Sequence, residues 1–319
     1  MSSKIFEKRG LVYCPRGQHE WNKTHASVPT VDILSKTRWR IYFATRDAQN
    51  HSHPTYIEVD SSDPRKILYE HDKPILGLGK PGSFDDSGIM PSWVVTYQGR
   101  KFLYYIGWTI GDVTPYRNAI GLAVSEDGGE TFHKIPENPI FGLTREEPYF
   151  TGTSCVLIDK GVWKNWYLSA TGWSTVNGCM EPRYHLKYAQ SKNGIDWERK
   201  GTVAIDYLNE EEGGLARASV LHNGGLYQMW FSYRKLQKYR TSPEASYRIG
   251  YAQSEDGVHW KRRDCDSGID ISREGWDSEM IEYPHVISSS EGLVMFYNGN
   301  GFGRSGLGYA VSRFLPVSQ

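Results

Sequence analysis

The chain has 319 residues, a length that suits either two average domains or one large closed β domain. Its 37 Lys and Arg residues balance its 37 Asp and Glu residues, which argues against a partner that is a polyanion such as nucleic acid or an anionic membrane. Aromatic residues at 13% and 33 glycines favour β-strands joined by many turns.

The sequence is expected to have neither a signal peptide nor a membrane span. The first nine residues lack the apolar run of a signal peptide, and no stretch approaches the roughly 18 uninterrupted apolar residues of a membrane span. We therefore expect a cytoplasmic protein with no membrane partner. Cys14, Cys155, Cys179 and Cys265 are scattered without a C-x-x-C pair, which predicts free, buried thiols.

A short phrase recurs along the chain at intervals of about sixty residues. It ends one strand with Ala-x-Ser, turns at Asp-Gly or Asn-Gly, and begins the next strand with an aromatic residue. Copies occupy residues 122–128, 188–194 and 251–257, and a shortened copy occupies 309–312. Because Asp-Gly and Asn-Gly supply the positive φ of a tight hairpin, the phrase predicts the outer hairpin of a repeated β unit.

Two further strands precede each turn, which extends the pattern to five repeats. Tight apolar and aromatic runs begin at Ile41, Leu103, Trp166, Met229 and Met295. Earlier strands align at Pro29, Pro91, Thr153, Ala218 and Pro284. Since radial repetition buries each unit between its neighbours, we predict one domain over residues 1–319, a five-bladed β-propeller of four-stranded antiparallel blades. Residues 8–13 are expected to supply a closing strand to the last blade.

Polar residues in the loops before the first strands should converge, because these strands line the channel of a propeller. Asp85, Glu147 and Glu212 occupy the same position in repeats two, three and four, so we expect three carboxylates to point at one region. Carboxylates, arginine, histidine and aromatic residues together suit a polyhydroxylated ligand. Cleavage of a glycosidic bond requires one protonated and one ionised carboxyl group, which crowded carboxylates can supply.

The catalytic candidates are Asp86, Glu147 and Glu282, with their roles as acid, base and stabilising group left open. Asp86 is equally suited to capping the turn at Ser87. The predicted substrate-binding residues in these loops and strands are His25, Tyr149, Arg217, Tyr283 and His285.

Three expectations concern the surroundings of these candidates. Strand alternation predicts that Glu282 and Pro284 face one way while Tyr283 and His285 face the other. Arg217 lies in an apolar strand, which predicts an anionic partner. The histidines lack the close spacing of metal ligands, so neither a metal nor a cofactor is expected.

The repeated Ala-x-Ser-x-Asp-Gly-x-x-Trp phrases span nearly the whole chain, which thereby resembles the five-bladed propeller superfamily of arabinanases, xylosidases, invertases and levansucrases, glycoside hydrolase families 43, 32 and 68. The resemblance implies a propeller fold and glycosidase activity. It also implies that Arg46 and Asp47 hold substrate or tune the base, and that Glu147 is a mid-chain acid. The superfamily places an aspartate in the first inner strand, where this chain has Thr24 and His25.

We therefore predict a carbohydrate-active enzyme, a glycoside hydrolase whose partner is a small-molecule sugar or sugar conjugate. The missing first-strand aspartate motivates the rival, a non-hydrolytic sugar or sugar-nucleotide binding or tailoring protein. Phosphorylases acting on mannosides share this propeller, and the chain resembles most nearly uncharacterised propeller proteins of bacterial surface-polysaccharide synthesis. A protein-interaction platform is a third class, but it predicts a channel without convergent charge.

Overall fold

The computed structural model describes residues 6–290 and 292–313. These residues are almost entirely β, interrupted by a 3-10 turn at Asp264–Asp266 and a short helical turn, α1, at Asn300–Gly303. Within this part of the chain, no helix is long and apolar enough to cross a membrane.

The strands follow the five repeats of the sequence. Repeat one contains β2 (Thr24–Ile33), β3 (Arg38–Arg46), β4 (Ser52–Asp60) and β5 (Asp63–Glu70). Repeat two contains β6 (Gly88–Tyr97), β7 (Arg100–Ile110), β8 (Tyr116–Ser125) and β9 (His133–Lys134). Repeat three contains β10 (Thr151–Asp159), β11 (Val162–Val176), β12 (Cys179–Ser191), β13 (Trp197–Glu198) and β14 (Val203–Ile205). Repeat four contains β15 (Glu212–Asn223), β16 (Leu226–Lys235), β17 (Arg248–Ser254) and β18 (Lys261–Arg262). Repeat five contains β19 (Glu282–Ser289), β20 (Gly292–Asn298) and β21 (Leu307–Arg313), joined by β1 (Glu7–Tyr13) from the start of the chain.

The strands within residues 6–290 and 292–313 form three sheets of mainly antiparallel pairs. Repeats one and two share an 8-stranded sheet through one parallel pair, Ser52 with Gly88. Repeats three and four share a 9-stranded sheet through one parallel pair, Tyr184 with Gly214. Repeat five and β1 make a 4-stranded sheet in the order β1-β21-β20-β19. The five-blade count stays a prediction.

The first strand of the chain closes the last repeat, as predicted. β1 pairs antiparallel with the last strand, β21. Lys8 of β1 reaches into repeat five, where its Nζ lies 2.6 Å from Asp277 Oδ2. A hydrophobic cluster that includes Val12, Trp39 and Phe296 then packs β1 and repeat five against repeat one. The two ends of the series are therefore held together by strand pairing, an ion pair and apolar packing.

We expect Lys8→Met to lower the free energy of unfolding by about 3 kcal/mol, because Asp277 would stay buried without its cation. Arg9→Met is the matched control: it lies in the same strand but pairs with exposed Glu7, and should cost less than about 1 kcal/mol. Denaturant unfolding measures both changes. Equal effects for the two variants would show that the Lys8 pair does not hold the closing strand.

The repeated phrases form the tight turns that the sequence predicts. Gly128, Gly194 and Gly257 adopt positive φ angles of 79°, 75° and 77°. Aromatic side chains of the preceding repeat bind these turns: the Tyr104 hydroxyl donates to the Gly194 carbonyl at 2.7 Å, and Trp166 Nε1 donates to the Gly257 carbonyl at 2.7 Å. The phrase therefore also provides the contact between successive repeats.

The first strand of every repeat is irregular near its start. Register shifts interrupt β2, β6, β10, β15 and β19 where they pair with the next strand. In β19 the shift lies between Glu282 and His285, and Tyr283 has a φ of 56°. The predicted alternation across Glu282–His285 is therefore wrong, because a bulge re-aims the side chains.

The expectation of buried cysteines holds only in part. Cys155 is buried in β10, whereas Cys14 is half-buried and Cys179 and Cys265 are exposed. Cys179 lies at a hairpin end and Cys265 in the 3-10 turn, which are surface positions.

Candidate functional site

The carboxylates predicted to converge are instead held inside their own repeats. Asp85 Oδ2 lies 2.7 Å from Lys134 Nζ and accepts a hydrogen bond from the Tyr105 hydroxyl at 3.0 Å. Glu212 binds Arg262 through both carboxylate oxygens at 2.9 Å. The shared repeat position thus provides a buried ion pair with the outer part of each repeat, and the expected convergence is wrong.

Glu147 has the same kind of environment in repeat three. Its Oε1 accepts hydrogen bonds from the Tyr167 hydroxyl at 2.9 Å and from Ser169 Oγ at 2.7 Å. Lys187 and Arg199 lie at 3.3 and 2.9 Å. Burial acts to raise the pKa of Glu147, but these hydrogen bonds and positive charges outweigh it and lower the pKa. An ionised, enclosed carboxylate is poorly suited to be the predicted acid.

Asp86 and Asp47 close loops of repeats two and one. Asp86 accepts hydrogen bonds from the Gly82 amide at 2.8 Å and from Ser87 Oγ at 2.9 Å. Asp47 accepts from the His51 amide at 2.8 Å, and its Oδ2 lies 3.1 Å from ring nitrogens of both His51 and His53. Burial acts to raise the pKa of each aspartate, and hydrogen bonds outweigh it to lower both values.

Arg217 and His285 meet at the inner strands, where repeat four approaches repeats one and five. Arg217 Nη2 donates to the Pro29 carbonyl and lies 2.9 Å from His285 Nδ1. The His285 ring stacks on Trp93 at 4.3 Å between centroids, and the Arg217 guanidinium lies over the same ring. Burial lowers the pKa of Arg217 to about 9. Arg217 has no ion pair within the residues described, so its expected anionic partner is replaced by neutral acceptors and an aromatic face.

Glu282 occupies a distinct, fully buried position at the start of β19. Asn298 Nδ2 donates to its Oε2 at 3.3 Å, whereas Oε1 has no hydrogen-bond partner in the described part of the chain. Burial raises the pKa of Glu282 from 4.5 to about 8, against the opposing effects of the Asn298 and Tyr283 side chains and of the charges of Arg234 and Arg240. Glu282 is therefore mainly protonated at pH 7.

Arg234 is buried among tyrosines next to this acid. Its Nε lies 3.1 Å from the Tyr184 hydroxyl and 3.3 Å from the Tyr247 hydroxyl, and these two hydroxyls hydrogen-bond each other. Its guanidinium lies 3.8 Å from the centroid of the Tyr239 ring. Burial also raises the pKa of Tyr283 well above its usual value, and the charge of Glu282 adds to that rise.

Arg46 of repeat one interacts electrostatically with Glu282, and His25 of the same repeat interacts with Arg46. The Glu282 and Tyr283 groups act electrostatically on half-buried Arg46, whose pKa is lowered chiefly by burial. Burial and the charges of Arg46 and Arg304 lower the pKa of His25 to about 4, so its ring is neutral at pH 7.

Repeat four also contributes Arg240, which lies near Glu282. Its Nε lies 3.3 Å from Glu181 Oε1, and its guanidinium stacks over the rings of Tyr239 and Phe302 at 4.6 and 5.3 Å. The Phe302 ring follows Gly301 in α1, and both residues have positive φ angles. This conformation brings an aromatic side chain of repeat five beside the arginine.

We define the Glu282 site as this carboxyl group together with the residues that act on it and the residues in contact with those: His25, Arg46, Glu181, Tyr184, Arg234, Tyr239, Arg240, Tyr247, Glu282, Tyr283 and Phe302. Tyr116 of repeat two borders it through electrostatic contact with Tyr283. The site combines a protonated acid, a neutral histidine, aromatic faces and guanidinium groups. It can donate a proton, stack on an apolar ring face and bind an anion.

The structure unites only part of the predicted set. His25, Arg46, Glu282 and Tyr283 come together, while the partly exposed Tyr149 lies at the surface with 44% of its area accessible. Asp86, Glu147 and Glu282 have no hydrogen-bond or ion-pair partner in common among the residues described. The structure therefore brings Glu282 together with candidates from repeat one, while the catalytic roles of Asp86, Glu147 and Glu282 stay predictions.

Several residues of the Glu282 site are not among those predicted from the sequence. Arg234 follows Phe231 in repeat four as Arg46 follows Phe43 in repeat one, so the two arginines occupy equivalent positions of the second strand. This equivalence between the repeats is the sequence signal that could have indicated Arg234. Tyr239 and Arg240 lie in the loop between β16 and β17, where the repeats do not align.

Solved structures share this fold. A thermostable family-43 glycoside hydrolase matches 91% of this chain and 88% of its own at a TM-score of 0.63 and 19% identity. The catalytic domain of a Coprinopsis cinerea GH62 α-L-arabinofuranosidase matches 98% of both chains at 0.65 and 13% identity. A glycosyl hydrolase from Bacteroides ovatus matches 97% of this chain and 94% of its own at 0.68 and 12% identity. The protein thus has the propeller-like fold of glycoside hydrolases.

The sequence relatives are more closely related but uncharacterised. The Mycobacterium tuberculosis proteins MT1551, of strain CDC 1551 / Oshkosh, and Rv1502, of strain ATCC 25618 / H37Rv, are each 36% identical to this chain over 306 residues. The match covers 96% of this chain and 98% of each relative, so the chain belongs to the same family as these two proteins. No model of a known protein family matches the chain.

Proposed function

We propose that the protein is a carbohydrate-active enzyme of the glycoside hydrolase type, with Glu282 as its general acid. The observation that supports this most is the state of Glu282: it is fully buried, its pKa is raised to about 8, and Oε1 has no hydrogen-bond partner among the described residues. A carboxyl group that is protonated at pH 7 and has an unengaged oxygen is suited to giving its proton to a leaving group.

The surroundings of Glu282 favour a sugar as the ligand. Tyr116 contacts Trp173 and Phe150 edge to face, with centroids 5.4 and 5.9 Å apart, and Phe302 adds a further ring beside Tyr239. Such rings suit the apolar faces of sugars, while the arginines and tyrosine hydroxyls suit their oxygen atoms. Solved structures with this fold include an arabinofuranosidase and a family-43 hydrolase, which adds support by analogy.

In the proposed reaction, the bond between the anomeric carbon and the leaving-group oxygen breaks, and the Glu282 proton moves to that oxygen. Water adds to the anomeric carbon and loses a proton to an ionised carboxylate. Asp86 remains the carboxylate proposed from the sequence, because its lowered pKa keeps it ionised at pH 7; the proposal requires its loop in repeat two to face the Glu282 site. Glu147 is left out of this reaction, since four side chains enclose it in repeat three.

Turnover of aryl glycosides, with and without inorganic phosphate, tests the proposal. We expect Glu282→Gln to lower kcat by about 10² to 10⁴-fold, and Asp86→Asn to lower it comparably. Glu147→Gln is the control and should keep the wild-type kcat per folded molecule. Turnover that requires phosphate would identify a phosphorylase. Wild-type turnover by Glu282→Gln would contradict the assignment of the acid.

A second candidate is a non-hydrolytic sugar or sugar-nucleotide binding or tailoring protein. The observation that favours it is His25, a neutral histidine in the first strand where related hydrolases place an aspartate. This candidate predicts binding of a sugar at the Glu282 site without release of aryl alcohol from any glycoside. A role in bacterial surface-polysaccharide synthesis and a cytoplasmic location stay predictions.

We also propose that the repeats form five blades of a single domain. Each of the two larger sheets joins two repeats through only one parallel residue pair, which suits a boundary between blades. Contacts from Tyr104 and Trp166 to the turns of following repeats suit radial packing.

A further inference from the structure

We propose that the ligand of the Glu282 site carries an anionic group, a phosphate or a carboxylate, and that Arg46 and Arg240 bind this group. The inference rests on the proposed function, because it names the class of sugar that the same site accepts. The inference is about how the ligand is bound. Its anionic group would lie between Arg46 and Arg240, beside protonated Glu282.

The local charge differs from that of the whole chain. Lys plus Arg and Asp plus Glu are equal in number over the protein, yet Arg46, Arg234 and Arg240 all interact electrostatically with one carboxyl group that is mainly protonated. Glu181 is the single carboxylate that pairs with any of these three arginines within the described residues. The site therefore has an excess of positive charge in a partly enclosed place, where Coulomb attraction to an anion is strong.

Arg234 contributes charge but has little capacity left for a ligand. Its Nε binds the Tyr184 and Tyr247 hydroxyls, its Nη1 donates to the Lys235 carbonyl at 2.9 Å, and its Nη2 donates to the Pro182 carbonyl at 2.7 Å. The side chain is also buried. Arg234 thus fixes a positive potential behind the site, while direct contacts to a ligand must come from other arginines.

Arg46 is available for such contacts. It is half-buried at the end of β3, and in the described part of the chain it forms no ion pair. Burial of an unpaired guanidinium is unfavourable and lowers its pKa, so an anion that approaches Arg46 gains a charged hydrogen bond and relieves that cost.

Arg240 lies close enough to Arg46 for its charge to lower the Arg46 pKa, and aromatic rings hold it in place. Stacking on Tyr239 and Phe302 orients the planar guanidinium, which reduces the entropy lost when it binds a ligand. Glu181 contacts it only through Nε at 3.3 Å and also accepts a hydrogen bond from the Tyr239 hydroxyl at 2.6 Å. The Arg240 side chain is 46% exposed, so a phosphate or carboxylate can reach the remaining nitrogens.

Binding of the anion should be linked to the protonation of Glu282. A neutral Glu282 does not repel an anion, whereas an ionised Glu282 would repel it and would compete for the same arginines. The bound anion should therefore raise the pKa of Glu282 further, and complex formation near pH 8 should take up a proton. A merely structural arginine cluster would give no such proton uptake.

Calorimetric titration tests the inference with defined probes. These are inorganic phosphate, hexose 1-phosphates, hexuronates and the neutral methyl glycosides of the same hexoses. We expect a phosphate- or carboxylate-bearing probe to bind at least about tenfold more tightly than its neutral counterpart, and Arg46→Gln or Arg240→Gln to remove that difference. Arg65→Gln, an exposed arginine paired with Asp63, is the control and should retain it.

The arms of this experiment separate the possible outcomes. Preference for 1-phosphates or for hexuronates identifies which anion is recognised, and proton uptake at pH 8 that is lost in Glu282→Gln supports its position at the acid. Equal binding of charged and neutral probes, with aryl glycosides still hydrolysed, would overturn the inference and keep the proposed function. Tight binding of a charged probe without turnover of any glycoside would support the inference and contradict hydrolysis.

Discussion

Glu282→Gln is expected to stabilise the protein at pH 8 by roughly 3 to 5 kcal/mol relative to wild type, and to change its stability little at pH 5. The native protein retains the Glu282 proton up to a pKa of about 8, whereas the unfolded chain releases it near the ordinary value of 4.5. Between these values the unfolded state binds fewer protons. Wild-type stability should therefore fall as pH rises, by about 1.4 kcal/mol per pH unit from this group alone.

Denaturant unfolding of wild type and Glu282→Gln at several pH values between 5 and 9 measures this difference. The stability gap between the two proteins should open above pH 5 and level off above pH 8, because Glu282 is then ionised in both states. A gap that is independent of pH would show that Glu282 is ionised in the native protein throughout this range.

Glu147→Ala is expected to destabilise the protein by about 3 to 5 kcal/mol, because Lys187 and Arg199 would lose their buried carboxylate partner. The lowered pKa of Glu147 also predicts the opposite pH dependence to that of Glu282. Its stabilisation is present above pH 4.5 and is lost as pH falls through its lower native pKa. The difference between wild type and variant should therefore shrink in acid.

Chemical denaturation together with turnover per folded molecule checks the role of Glu147. Unchanged turnover with a large loss of stability supports the structural ion pair. A large loss of turnover at unchanged stability would restore Glu147 as the acid predicted from sequence, and would contradict its exclusion from the proposed reaction.

The repeat pattern predicts most of the architecture because it is local in sequence. An Asp-Gly or Asn-Gly pair sets a positive φ at Gly128, Gly194 and Gly257, whatever the distant contacts are. The closing strand is also readable from sequence, since residues 8–13 have the pattern of a strand, and β1 does pair with β21.

The site is harder to predict because it depends on bulges and on pairing partners. The bulge at Tyr283 cancels the two-residue alternation on which the orientation of Glu282 was predicted. The carboxylates in repeat register each meet a basic residue, such as Lys134 or Arg262, far along the chain. The sequence alone does not show which basic residue a carboxylate will meet. A carboxylate of a structural ion pair therefore looks the same in the sequence as a carboxylate of a shared site.

A direct determination of the Glu282 pKa tests the central claim. Carboxyl-carbon NMR of selectively labelled glutamate, with the signal assigned by its loss in Glu282→Gln, can follow this one group through a pH titration. We expect a pKa of about 8, well above the ordinary 4.5, and a further rise when a charged sugar probe is added. A pKa near 4.5 that does not respond to the probe would contradict both the proposed acid and the anion-binding site.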